Sequence, residues 1–295
     1  MKRRAVMAAW VLTAGLALTH GAGCKWLSLR HRDSPPDVSP EQIERIQQIS
    51  ERAQAAVDRG DYENARADLT QLVNEEPESP EALQRLGTVM LLEGRLAEAE
   101  RYFHAALARD RDYVDAMLGL GEIEARRGDA VTALKRFELA ISIDPDRPRA
   151  HYLLGHAREA VGQTDEALAS YFRALEYDPN HVQAIARIAA IQLARSQPDQ
   201  ALARLDQAVE LAPADGEVRL MRGQAHWKLH HLPEAIADLR DAAQRLPDRP
   251  DIYYQLALAL EADHRPSDAR SAAEQALRLA PADTAVRQLS ERLRR

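Results

Sequence analysis

From residue 46 onward, apolar positions return every three or four residues, and the whole pattern then repeats with a period of 34. In one such period, Ala116, Met117, Leu120 and Ile123 share one face of a predicted helix over residues 114–127. Gly128 and Asp129 break it, because glycine accepts the left-handed conformation that ends a helix. A second helix follows to about Ile143, with Ala133, Leu134, Phe137 and Ala140 inward, and Asp144-Pro145 stops it. Each period therefore predicts a helical hairpin. The alternation of a half-buried strand is not evident.

Five columns carry the register. Ala65, Ala99, Ala133, Ala167, Ala201, Ala235 and Ala269 are steps of 34, and so are Pro77, Pro145, Pro179, Pro213, Pro247 and Pro281, with Arg111 in the one missing place. A third column holds Gly87, Gly121, Gly155 and Gly223, completed by Ala53, Ala189 and Ala257. A fourth runs from Leu72 through Ala106, Ala140, Ala174, Ala208, Ala242 and Ala276. The fifth changes size, from Phe103, Phe137 and Tyr171 to Leu205, Leu239 and the small Ala273. Small residues predict close helix contact, with Gly121 expected against Ala133. Gly60, Gly94, Gly128 and Gly162 hold the turn in the first four periods. Ser196, His230 and His264 replace them, with Pro198, Pro233 and Pro266 just beyond, which reads as a different turn reaching the same end. At the front, Ser39 and Gln42 form a capping box.

These columns span residues 46–283 without insertion or deletion, and they resemble the tetratricopeptide repeat family. The resemblance implies an all-α, right-handed superhelical solenoid of seven helix-turn-helix repeats plus a C-terminal capping helix. The repeats are expected at residues 40–79, 80–113, 114–147, 148–181, 182–215, 216–249 and 250–283. Residues 284–295 form the cap, with Ala285, Val286, Leu289 and Leu293 at helical spacing. No hairpin of this kind buries its apolar face alone, so neighbours must stack. The family's inner surface comes from the first helix of each repeat. Carried over, that surface offers Leu118, Glu122, Arg126, Tyr152, His156 and Glu159, then Leu220, Gln224, Trp227, Tyr254 and Leu258. Tyrosine and tryptophan suit an interaction surface, combining apolar area with a polar tip, although Trp227 and Tyr254 could equally pack between helices. Relatives that grip a chaperone's C-terminal carboxylate need Lys and Asn in the first helix. Here those places hold Ser50 and Gln54, Gln84 and Thr88, Leu118 and Glu122, Tyr152 and His156, so that clamp is excluded.

The first 24 residues have another character. A basic start with Lys2, Arg3 and Arg4 precedes an uncharged stretch at residues 5–19, then Gly21-Ala22-Gly23 and the single cysteine, Cys24. The stretch is shorter than the ~20 residues of a spanning helix and has a secretory layout. It resembles a bacterial lipoprotein signal, with Cys24 the acylated (palmitate-type) residue, though Gly21 stands where an apolar side chain is usual. Cleavage without lipidation, giving a soluble secreted or periplasmic protein, and a retained short anchor remain open. Lys25 after the cysteine favours, by the same resemblance, the outer membrane facing the periplasm. Residues 25–32 are basic, with Trp26, Leu27 and Leu29 between the charges, and prolines make the rest of the linker to residue 39 a spacer.

Composition narrows the function. The formal charge is −7, and loss of Lys2, Arg3 and Arg4 takes it to −10, which offers no field for nucleic acid. His226, His230 and His231 lack a carboxylate or thiol at ligand spacing, so no metal site is expected. Gly119-Leu120-Gly121 has no strand before it and no Lys-Ser/Thr after it, so it is not a phosphate loop. Repeats occupy the chain beyond the linker and leave no catalytic domain. The expectation is a non-catalytic scaffold without cofactor or small-molecule substrate. It would bind peptide or helix segments of other proteins and attach to a lipid membrane through its N-terminal anchor. The alternatives are a regulatory or substrate-capturing subunit of an envelope enzyme complex, and a structural spacer.

Overall fold

The computed structural model describes residues 39–294, so the signal, Cys24 and most of the linker lie outside the described residues. Those residues form fifteen α-helices and no strand. In chain order, hairpin 1 is α1 (Pro40–Asp58) and α2 (Tyr62–Glu75), and hairpin 2 is α3 (Pro80–Leu92) and α4 (Leu96–Arg109). Hairpin 3 is α5 (Val114–Arg126) and α6 (Ala130–Ile143), and hairpin 4 is α7 (Pro148–Ala160) and α8 (Thr164–Tyr177). Hairpin 5 is α9 (Val182–Ala194) and α10 (Pro198–Leu211), and hairpin 6 is α11 (Gly216–Lys228) and α12 (Leu232–Arg245). Hairpin 7 is α13 (Pro250–Ala262) and α14 (Pro266–Leu279), and α15 (Thr284–Arg294) closes the chain.

Local chemistry explains the ends. Proline opens six of these helices, where its missing N–H is no loss. Ser39 Oγ accepts the Gln42 N–H at 3.2 Å, and Ser79 does the same for Ala82. Each turn inside a hairpin has one residue in the left-handed region. Gly60, Gly94, Gly128 and Gly162 lie at φ 72–85°, and Ser196, His230 and His264 at 58°, 61° and 55°. The last three hairpins thus use the same turn as the first four, and not the different one the residues suggested. The reason is the closing bonds: Gly94 N–H reaches Leu91 O and Arg95 N–H reaches Met90 O, and His230 and His231 repeat this to Trp227 and His226. A fixed register needs that closure whatever side chain sits there, and a non-glycine residue bears about 1 kcal/mol of strain for it.

The helices pack in two compact units, one ending at Ile123 and the other Glu124–Arg295. In the first, Phe103 is wholly buried between two glycines. A Cβ on Gly87 would stand 2.9 Å from its ring, and one on Gly119 only 2.4 Å. In the second unit, each helix from α6 to α15 packs on the next in sequence. Gly155 faces the Tyr171 ring at 2.6 Å and Gly223 faces Leu239 at 3.0 Å. The small column therefore makes room for the ring-or-leucine column, and at Gly223 it also approaches the alanine column, where the Ala235 carbonyl lies 3.4 Å from the same Cβ position. Val286 and Leu289 of α15 are buried, and Leu289 joins the cluster of Leu256, Leu260 and Ala273, so α15 covers the last hairpin.

Candidate binding surface

The first helix of each hairpin presents one flank to solvent, and the side chains along it set what a partner meets. In the first unit, Leu118 is 0% exposed and belongs to the core, while Glu122 is half-buried. Arg85 donates to Ser50 Oγ and, at 3.1 Å, to the Ser50 carbonyl, joining α3 to α1 along that flank.

In the second unit, Arg126 and His156 are exposed and Gln224 is half-exposed. Leu220, 4% exposed, is core. Trp227, Tyr254 and Leu258 rest one side on the Leu256–Leu260 cluster and keep the other toward solvent. Tyr152 is half-buried, its ring 5.1 Å from His181 and 5.8 Å from Tyr171. Glu159 is already engaged. It accepts the Tyr171 hydroxyl and a forked pair of bonds from Arg187 at 2.7 and 2.9 Å. Tyr171 stands where Phe103 stands in hairpin 2, and its extra hydroxyl requires this acceptor in the core. Burial and the Glu159 carboxylate push the phenol well above its ordinary value, so it stays a neutral donor. Of the eleven candidates, then, two are core and one is bound inside the protein. The accessible set is Glu122, Arg126, Tyr152, His156, Gln224, Trp227, Tyr254 and Leu258.

Facing side chains of α11 and α12 in hairpin 6 form a network that the spacing did not reveal. Asp238 is 3% exposed and takes two bonds of 2.7 Å from Arg222 and a third of 3.2 Å from Arg219. His226 Nε2 lies 3.9 Å from the same carboxylate, and its Nδ1 is 3.4 Å from Nδ1 of His231. Burial lowers the His226 pKa, which favours the neutral ring. No group of three or more metal-ligating side chains occurs among the described residues. The available signal was an aspartate at a register place held by Ser170 and Ala272 in hairpins 4 and 7 and shared with Asp68 of hairpin 1, where Arg52, at the Arg222 place, bonds it at 2.9 Å. Among the described residues, no helix is long and apolar enough to cross a membrane.

Comparison with known proteins follows the same architecture. Two family models, both described as tetratricopeptide repeat, match residues 90–157, 124–191 and 159–225, and residues 50–103 and 220–284. Among solved structures, the APC/C hetero-tetramer Cut9–Hcn1 matches with a TM-score of 0.72 at 17% identity, over 82% of this chain and 48% of that one. The chain thus spans about half the length of that relative. Pseudomonas aeruginosa PilF matches at 0.67 and 18% identity, over 73% of this chain and 98% of its own. YrrB, described as a TPR protein with an unusual peptide-binding site, matches at 0.54 and 18%, over 64% and 97%. At such identities the likeness is one of fold. No curated protein matches.

Proposed function

The chain belongs to the tetratricopeptide repeat family, and from that premise we propose that it is a non-catalytic adaptor that holds segments of other proteins along its first-helix flanks. One observation carries the reading. Aromatic and polar side chains recur there, half in and half out of the core (Tyr152, Gln224, Trp227 and Tyr254), on a scaffold whose packing is completed by the alanine and glycine columns. Such residues give contact area at little entropic cost, because the core already fixes their rotamers. A solved neighbour of the same fold, YrrB, is described as having a peptide-binding site. The N-terminal pattern ending at Cys24 supports export and lipid anchorage, which would set the adaptor to work at the bacterial envelope, in assembly of secretion or pilus machinery.

Two measurements test this. Capture of envelope proteins by the full chain is expected to fall at least about tenfold in the pair His156→Ala with Gln224→Ala, with helical circular dichroism unchanged. Undiminished capture would overturn the flank assignment. Cys24→Ser is expected to move the protein to the soluble fraction and to abolish fatty-acid labelling. Continued membrane association without label would remove the lipoprotein reading.

A further inference from the structure

Two recesses open in the second unit, of about 480 Å³ in hairpin 6 and about 380 Å³ in hairpin 7. They are the same recess one repeat apart. All seven residues lining the first have their counterpart 34 positions later lining the second. Arg219, Arg222 and His226 of α11 and Asp238 of α12 become Tyr253, Leu256 and Leu260 of α13 and Ala272 of α14. Those four places change from charged in hairpin 6 to largely apolar in hairpin 7, while Glu234, Ala237 and Asp241 become Asp268, Ser271 and Gln275 and keep the rim polar.

In two neighbouring hairpins a polar side chain bridges the corresponding place. In hairpin 4 the residue at the His226 place is Arg158, whose guanidinium bridges to Ser170 Oγ at 2.8 Å and to the Glu166 carbonyl at 3.3 Å. In hairpin 5 that place is Gln192, which donates to Gln200 at 3.3 Å. Both span from the first helix to the second. In hairpin 6 that place holds the shorter His226, 3.4 Å from His231 and 3.9 Å from Asp238, and in hairpin 7 it holds Leu260, which has no polar end to reach across. In the hairpin 6 recess, Asp238, Asp241 and the exposed Glu234 place three carboxylates against the guanidiniums of Arg219 and Arg222. Asp238 is paired with both arginines and Asp241 with Arg219 and Arg245, which leaves the exposed Glu234 as the rim carboxylate that meets a partner's cation. The hairpin 7 recess has an apolar floor of Leu256, Leu260 and Ala272, and its rim aspartate, Asp268, is already paired with Arg240 at 3.1 Å and Arg265 at 2.5 Å.

We propose that these paired recesses are one two-point docking site for a segment of another polypeptide, with a lysine or arginine entering at hairpin 6 and a leucine-sized aliphatic side chain at hairpin 7. Helices in contact stand 8–10 Å apart, so the two points are separated by roughly 10 Å, about three residues of extended chain. The proposal rests on the adaptor reading but uses a different surface, between the helices of a hairpin and away from His156 and Gln224.

The test uses the full chain in detergent and an array of Gly/Ser peptides carrying one Lys and one Leu at varied spacing, with binding read by fluorescence anisotropy. Rim positions that are exposed allow changes without touching the core: Ser271→Trp closes the apolar recess, Ala237→Trp the charged one, and Glu234→Arg reverses its rim. Peptides with both residues two to four positions apart are expected to bind. Ser271→Trp and Ala237→Trp should each weaken them about tenfold, and Glu234→Arg should remove the preference for Lys over Glu. His156→Ala with Gln224→Ala should leave peptide binding unchanged. Binding that ignores the recess variants, or no Lys/Leu peptide that binds, overturns the proposal. If the flank pair alone abolishes capture of envelope proteins, the adaptor reading survives that failure; if neither set of variants matters, both fail.

Discussion

Hairpins 2 and 4 close over a ring, Phe103 or Tyr171, seated against Gly87 and Gly119 or against Gly155, whereas hairpins 6 and 7 put Leu239 and Ala273 at the same register. Their turns differ in the same sense. Hairpins 2 and 4 turn on Gly94 and Gly162, while hairpins 6 and 7 force His230 and His264 into the left-handed region. One period therefore admits two kinds of hairpin. The first kind packs a ring tightly against glycine and turns without strain. The second keeps the register but leaves recesses and carries strain, which fits it for contact more than for rigidity.

The largest test of that contrast is truncation of the fifth column. Phe103→Ala should cost about 4 kcal/mol, because a fully buried ring leaves a cavity that two helices cannot close, and Leu239→Ala about 2–3. Chemical denaturation of both variants would break the comparison if Leu239 proved the costlier. Glu159→Ala comes next. It strands the buried Tyr171 hydroxyl and the Arg187 guanidinium together, at about 2–3 kcal/mol, and Tyr171→Phe in the same background should recover part of that loss.

Smaller effects come from the turns. His264→Gly should stabilise by about 1 kcal/mol, since glycine takes the left-handed conformation without strain, and Gly94→Ala should destabilise by a similar amount. Melting curves that move the opposite way would show that the turn is not where the strain lies. The smallest effect is on pH. Burial lowers the pKa of both His181 and His226, so the unfolded chain takes up the proton first as pH falls. Their contribution is complete above the ordinary value of 6.5 and is lost progressively below it. His181 Nδ1 also accepts the Ala184 N–H at 3.3 Å, a helix cap that protonation removes. His181→Asn, which keeps an acceptor there, should flatten the fall in melting temperature between pH 7 and 5.5.

Much of this was legible in the residues because the repeat counts itself. Alanine, glycine and proline columns set the register, and helix ends follow from glycine and proline chemistry, as at Gly128 and at Asp144-Pro145. What the register conceals is depth. Leu118 and Leu220 hold surface places in the pattern, yet neighbouring helices cover them, and this depends on side chains from other positions. Glu159 looks available until Arg187, 28 residues later, is placed beside it. The turn was hidden for another reason: Ser196 and His230 do not advertise a left-handed conformation that only the closing bonds impose. The paired recesses needed both lessons, the register to show that they correspond and the packing to show that they are open.

The adaptor account is tested most directly by placing a photo-activated benzophenone side chain at His156, on the solvent flank of α7, and at the exposed Val131 on α6, then irradiating intact cells. Discrete protein adducts at position 156 with few at 131 are the predicted result. Equal, diffuse labelling at both, or none at 156, would contradict a first-helix flank that holds other proteins.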